Sequence, residues 1–316
     1  MLRVGVIGAG SMGRHHVRKY AALPQCELIG VADPDEARAA WTLEHGGTHY
    51  ADHRALLEQR LDLVTIAAPT SLHFPLAVDA LEAGCNLLIE KPITSTIESA
   101  VELKELAEAK GKLLAVGHIE RFNPAVIELK KIIDSGELGD ILSINNLRVG
   151  PYHGRILDTG IVLDLGTHDI DLISYLFREA PKSVFATALK RRHNHEDHAI
   201  MQLAFGSGGT GIVQTSWLAP YQARNIFITG TEHFALCDLM NKLILVYVNN
   251  PEGSNLLAGM RTVPQGDALE NQLASVMDCI VEGKPPVCTA EDSITALRAC
   301  FAALKSIETG EAVAIG

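Results

Sequence analysis

The first 118 residues alternate short apolar runs with helical stretches, and that alternation leaves few architectures open. RVGVIGA (3–9), CELIGVAD, LDLVTIAAP, CNLLIEKP and KLLAVGH read as strands. RHHVRKYAALP, FPLAVDALEAG and TIESAVELKELAEAKG lie between them and read as helices. Strands joined through helices of this length form right-handed βαβ units around a parallel sheet. Ligands of such sheets sit beyond the carboxyl ends of the strands. Pro69, Thr70, His73, Glu90, Lys91 and His118 fall at or just after those ends.

The first strand runs into Gly8-Ala9-Gly10-Ser11-Met12-Gly13 and then a helix. Glycines at this spacing make the tight turn, admit a pyrophosphate close to the backbone and let the helix pack on the strand. Ser11 and Met12 open the helix, whose unpaired N–H groups and partial positive charge suit phosphates. The second strand ends on Asp33, twenty residues after Gly13. A carboxylate there accepts from the ribose hydroxyls and repels a 2′-phosphate, which favours NAD over NADP. Arg38 is close enough in sequence to soften that preference, and Asp33 could instead simply open the turn in DPDEAR.

Lys91 follows an apolar strand and precedes Pro92. Proline confines the preceding residue to extended conformations, so Lys91 is aimed more rigidly than a loop lysine. The alternative is a solvated lysine at a strand end.

Beyond residue 118 the pattern changes. PAVIELKKIIDSGEL is a helix, and the runs DILSINNLRVG, SVFATALKRR, HAIMQLAFGSGGTGIVQTSWLA, RNIFITGTEHFALCDL and KLILVYVN are β-rich with turn signals between them. They predict a largely antiparallel open sheet, followed by two closing helices. The fold class is therefore α/β, a parallel doubly wound domain over 1–118 and an α+β domain over 119–316.

DLGTHDIDLISYL (164–176) carries three carboxylates within a segment that otherwise reads as core. At about 100° per residue, Asp164, His168 and Asp171 share one stripe with Tyr175, and Leu165, Ile170, Leu172, Ile173, Leu176 and Phe177 cover the other side. Asp169 lies off the stripe, and no role for it follows. A carboxylate one turn before a histidine orients the ring and raises its basicity, as a proton acceptor near neutral pH requires. A solvated polar face and a divalent-metal site are the alternatives. A metal usually draws ligands from more than one segment, and convincing partners are missing, so no metal is expected. His193, His195 and His198 in RRHNHEDHA read as a hydrated loop between strands.

A net charge of −11 argues against nucleic acid or an anionic membrane as partner. Six scattered cysteines without a CxxC pair fit reduced thiols in the cytoplasm. MLRVGVIGAGSMG reads as strand and turn rather than a signal peptide, and no run reaches the roughly 18 apolar residues of a membrane span.

GAGSMG at 8–13, Asp33, APTSLH at 68–73, EKP at 90–92 and DLGTHDID at 164–171 together resemble the glucose–fructose oxidoreductase and inositol dehydrogenase family. The resemblance spans the chain. It implies an N-terminal Rossmann domain that binds NAD and a C-terminal domain for substrate binding and oligomerisation. It also implies Lys91, Asp164 and His168 as the catalytic set, with His168 as acid/base, and a cis bond at Lys91–Pro92. Homodimers or homotetramers would form through the second sheet. GRHH at 13–16 and GHIERFNPAV at 117–126 resemble the nucleotide-sugar branch, for which the expected reaction is oxidation of UDP-N-acetylglucosamine at C3 to a ketone, for later transamination toward amide-linked lipid A or a related glycan. Arg121, Arg148, His153 and Arg155 are then candidate cations for the diphosphate, with Asn123 beside them and Tyr152 able to stack on a base. Inositol or another free polyol is the alternative substrate, and an NAD-bound sensor without catalysis is the alternative class.

Overall fold

In the computed structural model, residues 1–152, 159–248 and 256–316 are described. They divide into two units, Met1–Ile119 with Asp267–Ile294 and Glu120–Gly266 with Thr295–Gly316.

The first unit holds β1 (Leu2–Ile7), β2 (Cys26–Ala32), β3 (Thr48–Tyr50), β4 (Leu63–Ile66), β5 (Asn86–Ile89) and β6 (Leu114–Val116). They form one sheet in the order β3-β2-β1-β4-β5-β6, and every pair is parallel. The connections carry α1 (Ser11–Ala22), α2 (Ala39–Glu44), α3 (His53–Leu57), α4 (His73–Glu82) and α5 (Ile97–Ala109). Side chains alternate across a strand, so Val64 and Ile66 join one apolar cluster with Leu81 and Leu103, while Leu63 joins another with Val17 and Tyr20. With both faces covered, the central strands must be apolar throughout, and this is why they read as continuous runs. β3 was not expected. Its three residues, THY, are half-buried or exposed, and they sit at the sheet edge through backbone pairing to β2.

In the second unit, α6 (Pro124–Asp134) precedes β7 (Ile141–Pro151), and α7 (Thr167–Phe177) precedes β8 (Ser183–Leu189). Then follow β9 (His198–Ala204), β10 (Thr210–Ser216), β11 (Leu218–Gly230), β12 (His233–Asp238), β13 (Leu243–Val248) and β14 (Leu257–Thr262). With β15 (Val313–Ala314) they make a sheet ordered β14-β13-β12-β11-β7-β10-β9-β8-β15. Among the described strands of this sheet, only the β7–β10 pair is parallel. One cross-strand row, Met201, Val213, Asn146, Ile226, Cys237 and Ile244, is at most 2 % exposed and faces the core. The neighbouring row points the opposite way, as a period of two demands.

The expected single boundary at 118–119 needs correction, because the chain returns to the first unit after residue 266. α8 (Ala268–Glu282) places Leu269, Leu273, Val276 and Met277 in the cluster that contains Val4, Tyr20 and Leu88. Burying four such side chains contributes roughly 1.5–3 kcal/mol each. α9 (Ala290–Thr309) follows, and its Cys300 joins the second unit's core. Among the described residues no helix is long and apolar enough to cross a membrane.

Candidate active site

The glycine turn after β1 is shaped by three different contacts. Gly8 has φ +97°, and a Cβ there would lie 2.6 Å from the Ala67 carbonyl oxygen. A Cβ on Gly13 would stand 1.8 Å from the Gly8 carbonyl oxygen, so the turn and the first coil of α1 touch backbone to backbone. Gly10 differs, since a Cβ there would meet only Arg38 Nη1, at 3.7 Å. That open surface lies at the N-terminus of α1, where Gly10 provides no side-chain cap and the first turn carries no acid. Ser11 and Met12, exposed and half-buried, begin the helix. The cradle fits a pyrophosphate by shape and by the partial positive charge of the helix end.

Asp33 stands at the end of β2 with its carboxylate held by backbone. Oδ2 accepts from Ala9 N–H at 2.7 Å and Oδ1 from Asp35 N–H at 2.9 Å. The β2 end is thereby tied to the glycine turn, which is where a ribose carboxylate must be.

At the ends of β4 and β5 the charges are interlocked. Glu90 Oε1 is 2.7 Å from His16 Nε2, and both side chains are buried. Burial alone would raise the Glu90 carboxyl, but the His16 hydrogen bond and charge, then Lys91 and His73, hold it below the usual carboxylate range. His73 is also buried, with Nδ1 2.9 Å from the Pro92 carbonyl oxygen and Nε2 2.9 Å from that of Ala68. It therefore braces the two strand-end loops, and burial pulls its imidazole below the ordinary value. Pro69 is exposed, Thr70 and Lys91 are half-buried, and Lys91–Pro92 is cis. His118 is buried, its Nε2 3.1 Å from Ser293 Oγ. His16 and its bond to Glu90 were not anticipated; one signal was available, a histidine in the first helix facing the sheet at α spacing.

In the second unit the segment 162–177 is not one regular helix. Val162–Gly166 is a π-helical turn, closed by Thr167 N–H bonding Val162 O, and α7 starts at Thr167. Asp164 lies in the wider turn and His168 in the first turn of α7, both half-buried. A π turn has a different angular step from an α turn, so the single stripe expected from 164 to 175 holds only within α7.

Asp169 and Asp171 are buried and each faces an arginine. Asp171 accepts two bonds from Arg121, Nε to Oδ2 at 2.9 Å and Nη2 to Oδ1 at 2.6 Å. The same guanidinium lies 4.7 Å from the centre of the Tyr175 ring, one turn on. Both oxygens of Asp169 accept from Arg148 Nε, at 2.9 and 3.0 Å. Arg148 Nη1 reaches Glu120 Oε1 at 2.8 Å, and Arg224 Nη1 reaches the same oxygen at 3.1 Å. Burial dominates at Asp169 and pushes its carboxyl up against the pull of Arg148. Burial also opposes charge on Glu120, but there the two arginines prevail and the carboxyl lies below its usual range. These pairs lock α7, the helix carrying His168, to β7 and to the turn at Ile119–Phe122.

Arg121 and Arg148, expected to bind substrate, are thus buried and engaged with carboxylates. Asn123 caps α6, its Oδ1 accepting from Ala125 N–H at 3.0 Å. Tyr152 packs on His193 and Trp217, with ring centres 3.8 and 5.2 Å away. His153 and Arg155 lie outside the described residues. Arg224, half-exposed at its side chain and joined to Glu120, was not anticipated.

The cradle and the carboxylate at the β2 end define a dinucleotide-binding protein. Residues 2–118 match the oxidoreductase family with an NAD-binding Rossmann fold, and residues 126–235 match the GFO/IDH/MocA C-terminal domain. The chain belongs to this GFO/IDH/MocA family of oxidoreductases, with NAD as its cofactor. It is 31 % identical to a UDP-N-acetylglucosamine 3-dehydrogenase of Acidithiobacillus ferrooxidans over 96 % of both chains. The solved structure of an enzyme of that name from the same organism superposes with a TM-score of 0.89 at 30 % identity, covering 97 % of this chain and 98 % of that one. A scyllo-inositol 2-dehydrogenase (NAD(+)) of Bacillus subtilis is 26 % identical over 98 % of this chain and 95 % of its own.

Proposed function

We propose that the protein oxidises a secondary hydroxyl of a sugar to a ketone, and that the sugar is UDP-N-acetylglucosamine, oxidised at C3. The observation that carries this reading is the likeness to the UDP-N-acetylglucosamine 3-dehydrogenase across nearly the whole of both chains. The nicotinamide of bound NAD accepts the hydride in such a reaction. Of this chain's residues, His168 takes the hydroxyl proton, Lys91 donates a hydrogen bond to the same oxygen, and Asp164 orients the imidazole. The buried pairs of Asp169 and Asp171 leave these two carboxylates out of proton transfer and give them the task of holding the helix. With Arg121 and Arg148 buried in their ion pairs, Arg224, paired to Glu120 but with its side chain 45 % exposed, takes their place as the cation for the diphosphate, and Tyr152 remains the stacking group for the base. The 3-keto product is suited to a transaminase, which places the reaction upstream of an amide-linked lipid A or a related glycan.

A second reading, oxidation of a free inositol, is favoured by the full-length likeness to the scyllo-inositol enzyme. Incubation with NAD and either UDP-N-acetylglucosamine or myo- and scyllo-inositol separates the two, at alkaline pH with a ketone trap. Nicotinamide reduction with the nucleotide sugar, and a product two hydrogens lighter, supports the first. Turnover of inositol alone replaces it.

We also infer a homo-oligomer in a cytoplasmic setting, formed through the outer face of the nine-stranded sheet. Phe185, Gln202, Ile212, Asn145, Phe227, Leu236, Leu245 and Met260 stand in one cross-strand row there, half-buried or exposed, and six of the eight are apolar. A mainly apolar row of that length fits a second copy of the chain better than water. Sedimentation at the mass of two or four chains supports this, and a single-chain mass contradicts it.

A further inference from the structure

The ribose carboxylate is not alone at the end of β2. A bare Asp33 would turn away a 2′-phosphate by charge repulsion. Here Arg38 Nη1 lies 3.5 Å from Asp33 Oδ2, and it is the same atom that faces the open side of Gly10. The guanidinium therefore spans the glycine turn and the ribose carboxylate. Its position is fixed from the other side, where Arg38 Nε bonds Asp35 Oδ2 at 3.1 Å. Asp35 in turn caps the short turn Glu36–Arg38 by accepting from Ala37 N–H at 3.1 Å. Arg38 is thus a half-buried cation on a small local scaffold, not a wandering surface group. The Arg38 hydrogen bond is also the largest cause of the lowered Asp35 carboxyl, and the charge of Arg14 adds to it.

Arg14 also acts on this cluster, through its charge on Asp35. The guanidinium carbons of Arg14 and Arg18 lie 5.0 and 5.6 Å from the ring centre of Trp41 in α2. Asp33, Asp35 and Glu36 contribute negative charge here, and Arg38 and Arg14 offset part of it. The Asp33 carboxylate is therefore partly compensated by the Arg38 guanidinium beside it. A guanidinium carries five N–H donors in a planar fork, and Nε and Nη1 are the two that face Asp35 and Asp33. Donors remain for phosphate oxygens, which the fork matches in geometry.

We propose that Arg38 makes the ribose site accept two cofactors, with Asp33 holding the free 2′-hydroxyl of NAD and Arg38 holding the 2′-phosphate of NADP. NAD binds more tightly, because NADP brings its phosphate next to Asp33. The proposal concerns the adenosine end alone, so it stands or falls independently of the sugar that is oxidised.

The test is direct titration of the full-length protein with NADH and with NADPH, without sugar, followed by nicotinamide fluorescence and by calorimetry. Both reduced cofactors saturate, NADPH with a Kd weaker by no more than about a hundredfold. NADPH binding falls more steeply with added salt, as its extra charge requires. Arg38→Ala weakens NADPH relative to NADH by about ten- to a hundredfold, the range for loss of a charge-assisted hydrogen bond. Arg38→Lys, which keeps the charge, retains part of the NADPH affinity, and Asp33→Asn moves the ratio the other way. Failure of NADPH to saturate at millimolar concentration overturns the proposal. So does an Arg38→Ala protein with an unchanged ratio, because the guanidinium then does not discriminate between the two.

Discussion

Arg121→Met removes one half of a fully enclosed ion pair in the second unit. The Arg121 and Asp171 side chains are 3 % and 2 % exposed, and two hydrogen bonds join them. Removing one partner strands the other charge away from water, at a cost of about 3–5 kcal/mol. Asp171→Leu leaves the guanidinium against the Tyr175 ring without its counter-charge, and a cost in the same range follows. Replacing both with apolar groups of similar volume removes the stranded charge, so the double variant Arg121→Met/Asp171→Leu lies within about 1 kcal/mol of the parent. The coupling between the two positions is therefore several kcal/mol, far above the 0.2–1 kcal/mol typical of an exposed pair. Urea unfolding followed by far-UV circular dichroism on the parent, both single variants and the double variant gives this coupling directly. His168 stands three residues before Asp171 on the same helix, so the single variants also lose kcat. Single variants that each cost under about 1 kcal/mol would refute the reasoning, because an inexpensive break means the pair is solvated. A double variant whose cost equals the sum of the singles would refute it as well.

Other expectations follow from the same geometry. His168→Ala abolishes sugar turnover while NADH still saturates the protein in a fluorescence titration; near-normal turnover removes His168 from proton transfer. Gly13→Ala drives a methyl into the Gly8 carbonyl, 1.8 Å away before relaxation, so the turn must shift and calorimetry should find NADH binding lost. Native-like NADH binding would contradict the backbone contact. Glu90 has a folded pKa below its unfolded value of about 4.3. Its contribution to stability is therefore present above that pH and is lost as pH falls through the folded value. Urea midpoints measured from pH 6 downward should decline in acid, and Glu90→Gln should flatten part of that decline; parallel curves would mean Glu90 does not contribute to it.

The parts of this fold that could be read from residues are those where one local rule decides. β1, β2, β4, β5 and β6 are apolar on both faces because helices cover both, and a run of such residues has no other economical place. The glycine turn and Asp33 were legible because a dinucleotide site needs them at fixed spacing along one βαβ unit. β3 was not, since three half-exposed residues carry no periodicity and rely on backbone pairing to β2. The partners of Asp169 and Asp171 were illegible for a different reason. Arg148 and Arg121 lie 21 and 50 residues away in sequence, and helical periodicity reports which face a residue occupies, not which distant charge meets it. The same gap made two buried arginines look like free cations for a diphosphate. α8 shows it again, because an amphipathic helix declares that it buries a face without saying against which core. The π turn at Val162–Gly166 places Asp164 outside the regular α-helix, and nothing in DLGTHDID marks that change.

The central claim is hydride transfer from C3 of a nucleotide sugar to NAD, and one labelled substrate tests it. UDP-N-acetylglucosamine carrying deuterium at C3 is incubated with the protein and NAD, and the reduced nicotinamide is analysed by mass. The account predicts that the deuterium appears on the nicotinamide and that the keto-sugar product has lost it. Reduced nicotinamide without deuterium, or deuterium retained in the sugar, would contradict the claim.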